Sequence, residues 1–344
     1  MSESHRPRPQ WSRMGLWLLS LIAMLGLSLA TVPAHASPLT PPAPQDARAA
    51  VGQVGPTIVD IDTQMGYQSA VGAGTGIVIG PSTILTNNHV IAGATTLIVR
   101  SIGNGQTFPG TVIGFDRSHD IAVVQLGGGG LQPANIGNSD TVRVGDPIVS
   151  MGNAGGAGGA PSALDGRVIG LNQTVSASDA LTGSTETLSG LIQVDAGIRP
   201  GDSGGPTVNT ANQVIGLNTA ATDNFKLGHG QGFVIPINRA MAIAGQIQGG
   251  GGPSVHIGPT AFLGVGVNDA AGGAGAVIRQ VIPNGPAAGA GFAPGDVINS
   301  INGQPVNSAT ALTAILDQHH PGDNVQVGAG GRTASVTLGD GPPG

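Results

Sequence analysis

Sixty glycines and twenty-five prolines cut this chain of 344 residues into short apolar runs, and that punctuation constrains its fold more than any other feature. The runs at 57–61, 76–79, 96–99, 121–124 and 214–217 are bounded by Gly, Asn, Asp or Pro, the pattern of β-strands joined by tight turns. Only 9% of the residues are charged, which excludes long Glu/Lys-rich helices and coiled coils. A 40% hydrophobic content excludes a disordered chain despite the glycine. The length allows one large domain or two of ordinary size, and the expected class is mainly β, a sandwich or barrel.

Several functions are excluded by composition. The formal charge is −6 and Lys226 is the sole lysine, so no basic patch exists for nucleic acid. Without cysteine there is no thiol catalysis, no disulfide and no thiolate zinc site. His229, His256, His319 and His320 lack metal-ligand spacing and read as structurally neutral, so no metal or other cofactor is expected. Arg6, Arg8 and Arg13 precede an uncharged stretch at 14–32, and Ala34-His35-Ala36 follows Pro33. Residues 1–36 thus read as a Sec-type signal peptide cleaved after Ala36, sending the product to the cell envelope or the medium. The alternative is a retained membrane anchor, for which the stretch is just long enough. Cleavage takes three arginines and Glu3 from the formal charge of −6, leaving −8, and removes both tryptophans, Trp11 and Trp17.

Residues 37–50 form a Pro/Ala-rich lead-in without periodicity, read as a tether. A first domain is expected over 51–247, closing with a helix at 238–248. Gly249-Gly250-Gly251-Gly252-Pro253 then lies in a flexible linker over 248–259. A second domain of mixed α and β is expected over 260–340. It has strands at 262–267, 277–281 and 296–301, and a helix at 308–318 that places Leu312, Ile315 and Leu316 on one face.

The strongest chemical signal is Pro200-Gly201-Asp202-Ser203-Gly204-Gly205-Pro206. A glycine-rich turn of this kind exposes one serine hydroxyl and aims the N–H groups of Gly201 and Ser203 at one spot, as a tetrahedral oxyanion requires. A serine needs a base, and His89 in Thr86-Asn87-Asn88-His89-Val90 stands where a strand gives way to a short helix. A carboxylate must orient the imidazole. Asp120 opens the run 120–126, while Asp116 competes for the role; Asp120 is preferred because the following strand fixes it. His119 reads as surface decoration. Gly72-Ala73-Gly74-Thr75-Gly76 leads into a strand rather than a helix, so it is a tight strand passage and not a dinucleotide site. The glycine run at 152–159 lacks a lysine and a following helix, and reads as a mobile loop beside the active site.

Taken together, T-N-N-H-V, D-I-A-V, G-D-S-G-G-P and Gly232-Phe233-Val234-Ile235-Pro236 resemble the HtrA/Deg group of trypsin-fold serine proteases. The pattern is nearest to exported mycobacterial PepA-type members, which carry one C-terminal PDZ domain. The resemblance covers most of residues 50–340. It implies a chymotrypsin-like double antiparallel β-barrel, with the active site between the barrels, followed by a small α+β PDZ domain. It makes His89 the general base, Asp120 its orienter, Ser203 the nucleophile, and Gly201 with Ser203 the oxyanion hole. Phe262-Leu263-Gly264-Val265 matches the PDZ carboxylate-binding loop and its following strand, and Pro294-Gly295-Asp296-Val297-Ile298 with Ile301-Asn302-Gly303 matches a further run of that module.

In trypsin-fold enzymes the residue six before the nucleophile forms the base of the primary pocket. Here it is Gly197, so no buried carboxylate awaits Lys or Arg and a small or medium apolar side chain is expected. Asp195 is read as structural. The expected function is an exported serine endopeptidase acting on unfolded or misfolded polypeptides, with PDZ recruitment of protein C-termini. Its activity should fall below about pH 6.5, where an ordinary histidine base protonates. The alternatives are a protein-binding chaperone with a resting or silent triad, and an esterase with the same chemistry. The mature lead-in has no aromatic residue before Tyr67, whereas family relatives trimerise through aromatic contacts near the N-terminus. A homo-oligomer therefore stays open.

Overall fold

The computed structural model describes residues 46–178, 185–219 and 230–343. Helix α1 (Ala47–Val54) begins where the Asp46 carboxylate accepts the N–H groups of Arg48 and Ala49 at 2.9 and 3.2 Å. The expected tether over 37–50 therefore gives way to helix at its last residues, because Asp46 caps it and Ala50 and Val54 bury its inner face.

Six strands form the first barrel: β1 (Ile58–Met65), β2 (Ala70–Gly80), β3 (Thr83–Thr86), β4 (Thr96–Ser101), β5 (Thr107–Asp116) and β6 (Ile121–Leu126). They run in the order β5-β4-β1-β2-β3-β6, and a further β5–β6 pairing closes the sheet. Helix α2 (Asn88–Ile91) bridges β3 and β4. Val59, Ile61, Val78, Ile84, Val99 and Val124 fill this barrel. The second is also closed, from β7 (Pro147–Gly152), β8 (Ser162–Ser178), β9 (Thr185–Val194), β10 (Pro206–Val208), β11 (Val214–Thr219) and β12 (Gly232–Pro236) in the order β10-β11-β12-β9-β8-β7.

A separate apolar cluster joins the barrels. It runs from Ile58 and Leu85 through Met151 and Leu217, and helix α3 (Ile237–Gln248) seals it with Ile243 and Ile247. Burial of this kind contributes roughly 25 cal/mol per Å² of apolar surface, which fixes the barrels against each other.

The segment after α3 is not free, although its glycines predicted a hinge. Strand β13 (His256–Ile257) adds to β5, pairing His256 with Phe115, and the Ser254 hydroxyl donates to Asp116 at 2.6 Å. The C-terminal module then builds β14 (Thr260–Phe262), β15 (Val265–Asp269), β16 (Ala276–Val281), α4 (Pro286–Gly289), β17 (Val297–Ile301), β18 (Gln304–Pro305), α5 (Ala309–Leu316), β19 (Asn324–Ala329), β20 (Arg332–Thr337) and β21 (Gly339–Gly341). Its sheet runs β15-β16-β17-β19-β20 with β15 at one edge, and β14 pairs with β21. Its own core includes Ile278, Ile298, Leu312, Ile315 and Val327. Ser308 caps α5 through the Ala311 N–H at 3.0 Å, so the expected helix is present and begins one residue later.

Candidate active site

His89 is set by the junction of β3 and α2. Asn87 has the extended backbone of a helix cap, yet its side chain does not cap α2. It turns instead to donate to the carbonyl of Asp120 at 2.9 Å. Asp120 follows a 3₁₀ turn (Arg117–His119) and sits in the left-handed region at φ 56°, ψ 46°, a conformation that the short aspartate side chain tolerates better than most. Its side chain is thereby delivered to His89. Nδ1 of His89 lies 2.9 Å from both carboxylate oxygens of Asp120, and the His89 backbone N–H donates to Oδ1 at 3.0 Å. Thr219 Oγ1, at the end of β11 in the other barrel, donates to Oδ2 at 3.0 Å. Asp120 is buried while the imidazole is 39% exposed, so the ring presents its far side to the cleft.

Asp116, the rival carboxylate, is turned elsewhere. Fully buried, it accepts from Ser118 at 2.6 Å, from His119 Nδ1 at 2.7 Å and from Ser254. His119, expected as surface decoration, is thus half of a second His–Asp pair. His256, expected to have no structural role, is buried between two carbonyls, Asp317 O at 3.0 Å from Nδ1 and Pro259 O at 3.1 Å from Nε2. His319 contacts Asp323 at 3.1 Å and His320 stacks on His256; His229 lies outside the described residues.

Ser203 is buried in a turn whose backbone is held on every side. Gly204 N–H donates to Asn218 O at 2.9 Å, Asn218 N–H to Gly205 O at 2.8 Å, and Thr75 N–H to Ser203 O at 2.8 Å. Gly204 lies against Thr86, three residues before His89, which brings the serine turn to the histidine strand. Gly201 has φ +94°, and a Cβ there would fall 2.1 Å from Asn153 O, so only glycine fits. The glycine loop read as mobile is anchored instead: Gly155 N–H donates to Pro200 O at 2.8 Å, Gly158 to Asn153 Oδ1 at 2.7 Å and Gly159 to Asp60 at 3.1 Å. Burial pushes the Asp202 carboxyl up from its ordinary range, against bonds from Ser162 Oγ at 2.7 Å and Arg199 N–H at 3.0 Å. Asp60 is likewise raised by burial.

Gly197 faces Gly230, and the neighbouring Ile198 packs against Gly232. Asp195 accepts the backbone N–H of Arg167, in keeping with a structural role. In the C-terminal module Phe262 stacks on Tyr67 with ring centroids 4.9 Å apart, Leu263 is buried, and Gly264 turns with φ +79° into the edge strand β15 that begins at Val265. Among the described residues no cluster of three or more His, Asp or Glu side chains is arranged to hold a metal ion.

Comparison with known proteins matches this architecture. A trypsin-like peptidase domain matches residues 74–217 and a PDZ domain matches 261–333. The chain is 36% identical to the serine protease PepD of Mycobacterium tuberculosis over 92% of its own length and 72% of PepD. It is 35% identical to the periplasmic serine endoprotease DegP of Salmonella typhimurium, covering 76% of this chain and 54% of DegP. The HtrA-type protease AlgW, solved with a tripeptide, superposes with a TM-score of 0.52 at 28% identity over 87% of this chain and 98% of AlgW. Two β-barrels followed by a PDZ module define a trypsin-like serine protease. The chain belongs to the HtrA/Deg family of these enzymes.

Proposed function

We propose that the protein is an exported endopeptidase that hydrolyses unfolded or misfolded polypeptides through His89, Asp120 and Ser203. The observation that carries this reading is the imidazole of His89 held by a buried carboxylate at 2.9 Å beside the serine turn. Asp120 fixes the tautomer that donates from Nδ1, leaving Nε2 to take the Ser203 proton as Oγ attacks the scissile carbonyl. The N–H groups of Gly201 and Ser203 then stabilise the oxyanion. The amine leaves with the proton from His89, and a water activated by the same base releases the acyl-enzyme.

Gly197 forms the base of the primary pocket in this reading. The PDZ module takes a peptide C-terminus at Phe262-Leu263-Gly264-Val265, where β15 pairs with β16 on one side and can accept an added strand on the other. We place the protease domain at 51–247, the linker at 248–259 and the PDZ domain at 260–340, after a signal peptide of residues 1–36. Relatives named as periplasmic support export. The leader itself lies outside the described residues, and among those described no helix is long and apolar enough to cross a membrane.

Cleavage of unfolded casein by the purified protein, and none by Ser203→Ala, is the expected result. Equal cleavage by both would overturn the assignment of Ser203. No cleavage by either would favour the reading as a binding protein with a resting triad.

A further inference from the structure

Thr75, on β2 of the first barrel, is fully buried and makes four hydrogen bonds to three different parts of the site. Its hydroxyl donates to Gly201 O at 2.7 Å and accepts the N–H of Asn153 at 2.8 Å. Its backbone N–H donates to Ser203 O at 2.8 Å, and its carbonyl accepts from Thr86 Oγ1 at 2.7 Å. One residue thus links the serine turn, the glycine loop and the strand that leads to His89. A hydroxyl has one proton, and here it goes to Gly201 while a lone pair serves Asn153.

From this geometry we infer that Thr75 is a positioning residue for the oxyanion hole, an inference that rests on the reading of Ser203 and Gly201 given above. Gly201 lies between two peptide planes, and both are pinned by their carbonyls. Thr75 Oγ1 holds the carbonyl of Gly201, and Gly155 N–H holds that of Pro200 at 2.8 Å. In a planar trans peptide the N–H points opposite to the carbonyl. Fixing Pro200 O toward Gly155 therefore aims the Gly201 N–H away from the glycine loop. Glycine at φ +94° has broad conformational freedom, so without these pins the donor could rotate out of line. The two pins are coupled, because the hydroxyl that holds Gly201 also holds the start of the loop at Asn153. The Gly155 turn, with its own φ of +70°, is then presented to Pro200.

Thr75→Val keeps the shape and removes both hydroxyl bonds. Loss of one oxyanion donor typically lowers kcat by about 10²–10³-fold, and Thr75→Val should lower kcat by about 10²-fold with KM within about threefold. Binding of a peptide boronate, which places a tetrahedral oxyanion in the hole, should weaken in parallel, while the acid limb of the pH–rate profile stays at its wild-type position. Thr75→Ser, which retains the hydroxyl, should restore both kcat and boronate binding. If Thr75→Val does not fold, Thr75→Ala gives the same measurement with the backbone bond to Ser203 intact. Wild-type kcat and boronate affinity in the variant lacking the hydroxyl would overturn the proposal, as would a Ser variant as impaired as the Val. In either case an active wild type and an inactive Ser203→Ala would leave the triad reading standing; an active Ser203→Ala would remove it independently.

Discussion

The guanidinium of Arg117 lies 3.3 Å from both carboxylate oxygens of Asp317, joining the turn that delivers Asp120 to the end of PDZ helix α5. Both side chains are three-quarters buried or more. Burial raises the Asp317 carboxyl above its ordinary range, and Arg117, then His256, pull it back. Arg117→Gln leaves an ionised, mostly buried carboxylate without its cation and should cost about 1–2 kcal/mol at pH 7, between the values for exposed and buried pairs. Asp317 takes up a proton as pH falls through its raised pKa, and the pair is then already broken in the wild type. Urea unfolding at pH 7 and pH 4 should therefore show a larger deficit at pH 7; equal deficits would count against the pair.

His256 makes another attachment between the barrel and the C-terminal module. Its ring stacks between Phe115 and His320 with centroids 5.1 and 5.7 Å away, and its nitrogens reach two carbonyls. His256→Phe keeps the stacking and loses the polar contacts. The expected outcome is several-fold faster cleavage within 249–252 by an added protease, with barrel unfolding little changed. An unaltered nicking rate would show that the hydrogen bonds do not hold the PDZ module in place.

How much of this was legible in the sequence depends on how local each signal is. His89, Asp120 and Ser203 stand beside strand ends in motifs whose residue types are set by chemistry, and the barrels announce themselves through short strands and glycine turns. Thr75 was visible only as part of a tight strand passage, because its bond to Gly201 spans 126 positions. Thr219 and Asn87 act on Asp120 from distant elements in the same way. The glycine loop at 152–159 reads as mobile from its composition, and the glycine-rich linker at 248–259 reads as a flexible hinge, for a common reason. Composition reports the freedom of an isolated chain, whereas Thr75, Pro200 and Asp60 anchor the first and β5 holds the end of the second at 256–257. Asp120 is preferred over Asp116 in the sequence on the strand that follows it, but the directions of the two side chains, one toward His89 and the other toward Ser118 and His119, have no local sequence signal.

Asp202 carries a buried charge whose pKa is raised chiefly by desolvation. A raised folded pKa means that the ionised form is disfavoured on folding, so this group lowers stability increasingly as pH rises from the unfolded value of 3.8 through the folded one. Asp202→Asn removes that charge. Its oxygen can still accept from Arg199 N–H, and its amide can donate to Ser162 Oγ, which is free to donate to Gly152 O at 2.9 Å. The variant should match or exceed wild-type stability at pH 7, with the difference shrinking toward pH 4. A difference that grows on acidification would contradict the sign.

Substrate preference tests the pocket. In the proposed pocket, with Gly197 at its base, Asp195 is engaged by Arg167 and Ile198 lies on Gly232, so among these described residues none offers a free carboxylate to a basic side chain. A peptide library should show cleavage after Val, Ala or Leu and little after Arg. Ile198→Ala should shift preference toward larger side chains by about tenfold or more, since each methylene in such a pocket is worth roughly 10–200-fold. Efficient cleavage after Arg would refute the pocket as described.

The support of Asp120 divides into two measurable parts. Thr219 bonds its carboxylate, whereas Asn87 bonds its main-chain carbonyl and so holds a non-glycine residue at φ 56°. Thr219→Val should lower kcat about tenfold, equivalent to about 1.4 kcal/mol, through poorer orientation of His89, with little change in unfolding. Asn87→Ala leaves a buried carbonyl unpaired and should cost about 1–3 kcal/mol of stability as well as activity. Asp120→Asn, which disturbs the tautomer itself, should lower kcat on the order of 10⁴-fold. Asp120→Asn should thus lie well below Thr219→Val in kcat, while Asn87→Ala should be less stable than Thr219→Val. If Thr219→Val proved as inactive as Asp120→Asn, the hydroxyl would be doing more than orienting the carboxylate.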